Sequence, residues 1–384
     1  MIDTQILKEQ YAKHFSGSAK LYTAPGRINL IGEHTDYNGG FVFPGAVDKA
    51  ISAAIRPNGT NVVNLYAIDL NNSCSFDITD TQGPNDINFR YIYGVVRELI
   101  ESGVKIGGFD AAYGGDVPLG AGMSSSAALE CCFANALNDL FDGKLDKMTL
   151  ARIGQATEHK YIGVKCGIMD QFASMHGREG YLMRLDCQSG QFEYYPWHPN
   201  NYSLVLINSC VKHQLVGSPY NERRESCERV AKLVGVSTLR DCSWQQLEQI
   251  KHQIDDTDYR RARYVLGEKD RVLSVCDALQ HDDYETVGQQ MYHTHFGLRD
   301  DYEVSCTEID FLVDQAIQLG VTGSRIMGGG FGGCTINLVR NDIYLQFIEQ
   351  VQLNYRAQFN TDCQLIPVKI ADGAKSYDTT HLID

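Results

Sequence analysis

Alternating apolar and polar positions mark strand-like runs at residues 21–31, 41–55 and 61–68, whereas Ile87, Tyr91, Val95 and Leu99 recur every four residues as one face of a helix. A strand over 109–117 leads into the small-residue loop PLGAGMSSSAALE. That loop runs into an Ala- and Leu-rich helix, and a further helix is predicted over 149–161. From Tyr181 the period returns to two, with a clear run at 202–208, and from about 220 to 319 charged and apolar residues interleave at helical spacing. The remainder reads as a strand at 323–327, a glycine cluster, a strand at 334–339, a helix at 344–356 and a last strand near 364–370. Strands bunch with strands and helices with helices. This grouping predicts an α+β fold rather than the βα alternation of a doubly wound sheet.

At 384 residues the chain is long enough for two or three domains, and the pattern change near residue 180 predicts two, 1–180 and 181–384. There is no internal repeat or low-complexity tract. Charge narrows the partners: 34 basic residues, scattered, stand against 48 acidic ones for a net of −14, which disfavours nucleic acid and anionic membranes. No apolar run approaches the roughly 20 residues that cross a bilayer. The first fifteen residues mix charges with Leu7, Tyr11 and Phe15 instead of forming a secretory apolar core, so a cytoplasmic location is expected. The twelve cysteines include no CxxC pair, and Cys131 and Cys132 are adjacent within a predicted helix. Free, mostly buried thiols are therefore expected.

A net-acidic protein that binds an anion needs local donors, and a helix start offers unpaired backbone N–H groups together with the positive end of the helix dipole. Gly120, Ala121, Gly122, Met123, Ser124, Ser125 and Ser126 suit that role, because the glycines let the backbone bend around a phosphate and the serines supply hydroxyls. The same serines could instead merely cap the helix. The string GxxxxGK[ST] is absent. A second glycine cluster, GSRIMGGGFGGC, contains GxGxxG at Gly328, Gly330 and Gly333, but a strand rather than a helix follows, which removes the dinucleotide reading.

The segment APGRINLIGEHTDYNGG packs Arg27, Glu33, His34, Asp36, Tyr37 and Asn38 into twelve positions after a strand-like run. Carboxylates accept from sugar hydroxyls, His and Asn donate or accept, and Arg clamps an anion, so the set suits a polyhydroxylated ligand. A solvated loop is the plainer alternative. In EHKYIGVKCGIMDQF, Glu158 falls at a predicted helix end, and Asp170 sits in apolar company as either a satisfied core carboxylate or a group held in a cleft.

Together these segments resemble the galactokinases of the GHMP kinase superfamily, supported by CGIMDQF, SPYNERRESCE and LRDDYEVSC, and the resemblance covers nearly the whole chain. It implies a two-lobed α+β fold with the site between lobes, and transfer of the ATP γ-phosphate to the C1 hydroxyl of galactose. Glu33, His34, Thr35, Asp36, Gly167 and Tyr220 would hold the sugar, and the loop from Gly120 to Ser126 would cradle the nucleotide. Ser126 and Glu158 would position Mg²⁺, Asp170 would accept or orient the hydroxyl, and Arg27 would hold Asp170. No obligate protein partner is implied. A kinase of N-acetylgalactosamine and a non-catalytic sensor of galactose and ATP are the alternatives. Departures from the family pattern include Met123, Met327, Gly297 and Pro219, the last making the Tyr220 contact the least secure.

Overall fold

The computed structural model describes residues 3–118, 120–211 and 218–377. Leu119 of the first glycine loop lies outside them. The chain begins with helix α1 (Thr4–His14), strands β1 (Lys20–Asn29), β2 (Phe41–Val42), β3 (Pro44–Pro57), β4 (Val62–Ala67) and β5 (Asn72–Asp77), helix α2 (Ile87–Glu101) and strand β6 (Phe109–Gly115). Helices α3 (Ser125–Leu140), α4 (Lys147–Thr157) and α5 (Met169–His176) precede β7 (Tyr181–Asp186), β8 (Phe192–Pro196) and β9 (Tyr202–Asn208). The helical block comprises α6 (Ser218–Val234), α7 (Trp244–Ile250), α8 (Asp256–Gln280), α9 (Tyr284–Asp300) and α10 (Thr307–Gln318). Strands β10 (Gly323–Met327) and β11 (Cys334–Arg340), helix α11 (Tyr344–Phe359), and strands β12 (Gln364–Pro367) and β13 (Lys375–Ser376) follow.

Three sheets result, with strand orders β13-β1-β3-β6-β4-β5, β10-β11-β9-β12 and β2-β7-β8. In the first, the period of two sends neighbours to opposite faces. Tyr22, Ala53, Leu65 and Ala111 join the main core, while Leu21, Ala54, Tyr66 and Ala112 pack with Leu7 and Tyr11 of α1. Because both faces are covered, β1 is buried along nearly its whole length.

Helix α1 departs from the sequence reading, which finds no element there. Leu7 and Tyr11, one turn apart, are its buried stripe, and the Asp3 side chain accepts from the Gln5 N–H as N-cap. Strands β5 and β13 and helix α5 are likewise additions to the pattern read from the chain. The main core crosses residue 180, joining Tyr22 and Phe89 to Leu206, Val272, Ile336 and Ala374, and β13 pairs with β1. All twelve cysteines are free.

The register between β1 and β3 shifts from Pro25↔Ala50 to Arg27↔Ala46. Such irregularities re-aim side chains. Gly26 lies at this step, where a Cβ would stand 2.7 Å from the Met123 carbonyl oxygen.

Helix α9 lies against β10 at a contact only glycines allow. A Cβ on Gly288 would meet the Thr322 carbonyl oxygen at 2.1 Å, and one on Gly323 would meet the Gly288 Cα at 2.5 Å. Gly288→Ala is therefore expected to destabilise the protein by about 1–3 kcal/mol or more through overpacking, measured by urea unfolding. A wild-type midpoint would show that α9 can move outward at no cost.

Candidate active site

The two glycine clusters meet backbone to backbone. Residues 328–333 close the hairpin between β10 and β11, with φ of +87° at Gly328 and Gly330, +61° at Phe331 and +76° at Gly333. On the other side of the contact Gly120 and Gly122 have φ of +73° and +69°, and a Cβ on Gly122 would sit 2.8 Å from the Met327 carbonyl oxygen. L-residues with side chains rarely occupy this region, so the close approach depends on glycine.

Helix α3 starts from this contact. Ser124, in the left-handed region at φ 56°, makes no side-chain capping bond, so the capping alternative does not apply to it. Its hydroxyl instead donates to Asp170 Oδ2. Arg27 Nε donates to Asp170 Oδ1 at 2.8 Å, its Nη1 donates to the Gly122 carbonyl, and its backbone N–H donates to Met123 O. One buried guanidinium thus ties β1, the glycine loop and the first turn of α5 together.

These groups line a cavity of about 220 Å³. Gly120, Gly122, Met123, Ser125 and Ser126 line it, together with Glu33, His34, Asp36, Gly167, Tyr220 and Glu158. A second cavity of about 460 Å³ adjoins it through Tyr91, Ser125 and Ser126, with Ile51, Leu70, Val117 and Leu129 among its apolar walls.

The turn after β1 is braced from the C-terminal half. Glu33 Oε2 accepts from Arg325 Nη1 at 2.7 Å, and Arg325, fully buried in β10, also donates from Nε to Leu30 O at 2.9 Å. Glu268 on α8 accepts from the Gly32 N–H at 2.7 Å and the Glu33 N–H at 3.2 Å. The sequence reading assigns no role to either Arg325 or Glu268. Arg325 lies inside a recognised motif but within a strand pattern that reads as core, and Glu268 lies more than 230 positions away on an unremarkable helix.

His34, at φ 60° and buried, shares a hydrogen bond of 2.8 Å between Nδ1 and Tyr37 Oη, while Nε2 has no partner. Burial, reinforced by the Arg223 charge, pushes its pKa down to about 3, so the ring is neutral at pH 7. Its ring centroid lies 5.4 Å from that of Tyr220 and 5.0 Å from that of Tyr302. Tyr220 falls in the first turn of α6, where Pro219 is tolerated because the missing N–H would be unpaired in any case. Gly167 gives Asp36 its room: a Cβ there would overlap the carboxylate at 1.9 Å.

Two sequence-named residues do not present side chains to the cavity. Thr35 is fully buried, and its hydroxyl donates to the carbonyls of Gly32 and Phe41 at 2.9 and 2.6 Å, so it shapes the turn. Ala121 is buried in the main core. The carboxylates crowd one another. Burial, and then the Asp170 charge, raises Asp36 to about 6 against the opposing Tyr37 N–H. Glu158 rises to about 7, through burial first and the Asp170 charge last, against a hydrogen bond from Ser126.

Three family models match the chain: a galactokinase galactose-binding signature at residues 9–57, the GHMP kinases N terminal domain at 90–178 and GHMP kinases C terminal at 276–352. The galactokinase of Fusobacterium nucleatum is 38% identical, over 94% of this chain and 95% of its own. That of a Roseiflexus species is 37% identical, over 97% of both. The chain belongs to the galactokinase family. It has the GHMP kinase fold expected from its sequence, and enzymes of this class take ATP as phosphoryl donor. The crystal structure of Lactococcus lactis galactokinase complexed with galactose superposes with a TM-score of 0.92 at 32% identity, covering 97% of this chain and 99% of that one. The Methanococcus jannaschii mevalonate kinase shares the fold alone, at a TM-score of 0.68 and 18% identity. Among the described residues no helix is long and apolar enough to cross a membrane.

The raised pKa of Asp36 has a signed consequence. An acid that binds its proton more tightly when folded costs stability as pH rises from its unfolded value near 3.8 to about 6, and the cost stays above that range. Asp36→Asn is expected to stabilise the ligand-free protein by about 2–3 kcal/mol at pH 7.5 and to change it little near pH 3.5, by urea unfolding at both pH values. Equal effects at the two would show that Asp36 is not strained by its charge.

Proposed function

We propose that the chain is an Mg·ATP-dependent galactokinase that forms galactose 1-phosphate and ADP from galactose. The observation that carries this reading is the joint at Asp170. Its carboxylate is held on one oxygen by Arg27 from the strand that leads into the sugar-side turn, and on the other by Ser124 from the phosphate-side loop. A carboxylate at that junction faces the place where a hydroxyl and a phosphoryl group would meet.

Phosphoryl transfer asks a protein mainly for in-line positioning and for charge stabilisation. The C1 oxygen bonds to the γ-phosphorus, the bridging β–γ oxygen leaves with ADP, and Asp170 receives or directs the hydroxyl proton. The Arg27 guanidinium offsets charge beside it. On the sugar side Glu33, His34, Asp36, the Gly167 backbone and Tyr220 hold and orient hydroxyls. The unpartnered Nε2 of the neutral His34 is free to donate or accept. Backbone N–H groups from Gly120 to Ser126, at the positive end of α3, hold phosphate oxygens, and the adjoining apolar cavity takes the nucleobase.

Among the described residues no three metal-binding side chains converge; Mg²⁺ is usually held by one or two carboxylates plus substrate phosphates. Ser126 and Glu158 fit it. They are paired oxygen donors, and burial first, with the Asp170 charge adding to it, holds the Glu158 carboxyl above its ordinary ionisation. Held by Ser126 and Glu158, Mg²⁺ would supply positive charge that offsets the charge of the phosphates. Residues 1–180 would supply most of the sugar and nucleotide contacts and 181–384 the second lobe, in a cytoplasmic enzyme that needs no protein partner or nucleic acid.

Purified protein with ATP, Mg²⁺ and galactose is expected to release ADP in a galactose-dependent manner, faster than with N-acetylgalactosamine. Asp170→Asn should lower kcat by about 10²–10⁴-fold. No galactose-dependent ADP from the wild type, with both ligands still bound, would move the chain to a sensor role, and wild-type turnover by the variant would remove Asp170 from the chemistry. Glu158→Ala should raise the Mg²⁺ concentration for half-maximal rate by roughly tenfold or more, well beyond any change in galactose KM. The opposite pattern would take Glu158 out of the metal's surroundings.

A further inference from the structure

Beneath the cavity lies a buried polar pair that the proposed mechanism does not use. Glu130 on α3 and Gln171 on α5 are essentially inaccessible, and Gln171 Nε2 donates to Glu130 Oε2 at 3.0 Å. Glu130 Oε1 and Gln171 Oε1 are both buried without a partner. Two acceptor oxygens left over beside such a bond are resolved by one proton. A neutral carboxyl donates from Oε1 to the amide oxygen while the amide N–H donates back to Oε2, closing a ring that satisfies both groups. Burial, with the Glu158 charge adding to it, holds the Glu130 pKa well above the usual carboxylate range, in keeping with a neutral group.

The surroundings of the pair show what it can hold in place. Helices α3, α4 and α5 pack against one another around it. Gly154 of α4 leaves the space: a Cβ there would stand 2.8 Å from Gln171 Cγ and 3.1 Å from Glu130 Oε2. Each helix also carries one proposed functional side chain close to the pair along its own backbone. Ser126 lies one turn before Glu130, Glu158 one turn after Gly154 with its backbone still helical (φ −56°, ψ −44°), and Asp170 next to Gln171.

We propose that Glu130, through its pair with Gln171, is a positioning residue that fixes Ser126, Glu158 and Asp170 relative to one another. This rests on the galactokinase reading for the roles of those three side chains. The pair sits where three helices meet, so losing it lets them slide, and a displacement of about 1 Å at a reacting group costs on the order of 10²-fold in rate.

The test compares Glu130→Gln, Glu130→Ala and Gly154→Ala with the wild type in steady-state assays with ATP, Mg²⁺ and galactose, alongside infrared spectra of the ligand-free proteins. Glu130→Gln is expected to rescue kcat to within about threefold, because two amides close the same ring with no charge. Glu130→Ala and Gly154→Ala should lose about 10²-fold in kcat with a much smaller change in galactose KM. The wild type should show the carbonyl stretch of a protonated carboxyl that Glu130→Gln lacks. If Glu130→Ala does not fold, Gly154→Ala carries the kinetic arm. Glu130→Gln as damaged as Glu130→Ala, or a truncated variant at wild-type kcat, overturns the proposal. A wild type that leaves galactose untouched defeats the kinase reading instead; the infrared band then decides, its absence overturning the pair and its presence upholding it.

Discussion

Arg27 is the residue on which the arrangement of the cleft depends. Only 3% exposed, it spends its guanidinium on a backbone carbonyl and a carboxylate, and its own N–H on the glycine loop. A buried charge is tolerated when it is paired and hydrogen-bonded, and severely destabilising when a partner is removed. The glycine loop and the first turn of α5 are therefore held where Arg27 needs them. Lysine could not substitute, since a single ammonium lacks the planar fork that reaches Gly122 and Asp170 together. The register shift in the β1–β3 ladder and the missing side chain at Gly26 belong to the same constraint, for they let the strand approach the Met123 carbonyl.

The C-terminal half stiffens this arrangement without adding much chemistry. The hairpin loop at 328–333 lies against Gly122, Arg325 holds Glu33 from beneath, and Glu268 anchors the N–H groups of the same turn. Glu268 is itself completed by Arg271 at 2.6 Å and Thr294 at 2.8 Å, so no buried oxygen of that carboxylate is left to strain the turn. A site built this way has its side chains aimed before any ligand arrives, and preorganisation is what positioning catalysis requires.

How much of this could be read from the chain follows from range. Strands β9 and β10 coincide with the runs at 202–208 and 323–327, because a short run bounded by turn residues is a local signal even where, as here, nearly every position is buried. Helix α1 escapes because Leu7 and Tyr11 are only two apolar positions in a charged segment, and β13 because two residues carry no period. In the cleft, most motif residues converge as their families of types suggest. Thr35 and Ala121 do not, since adjacency in a motif fixes where the backbone goes and not where each side chain points. Arg325, Glu268 and Glu130 are illegible for the converse reason: their partners lie far along the chain, and a buried charged residue in a regular element has no pattern of its own.

The cleft also gathers acids in a chain that already carries a net charge of −14. Asp36 near 6 and Glu158 near 7 register that crowding, since each is pushed up by burial and by the Asp170 charge. Such a site repels an anionic donor unless charge is added or shared. The start of α3 and Arg27 supply part of the compensation. On the proposed reading a hexose would bring hydroxyl donors to the cleft, and a divalent cation at Glu158 would offset carboxylate and phosphate charge together. Occupying one half of the cleft would then lower the electrostatic cost of occupying the other, a coupling of sugar, metal and nucleotide that runs through Asp170.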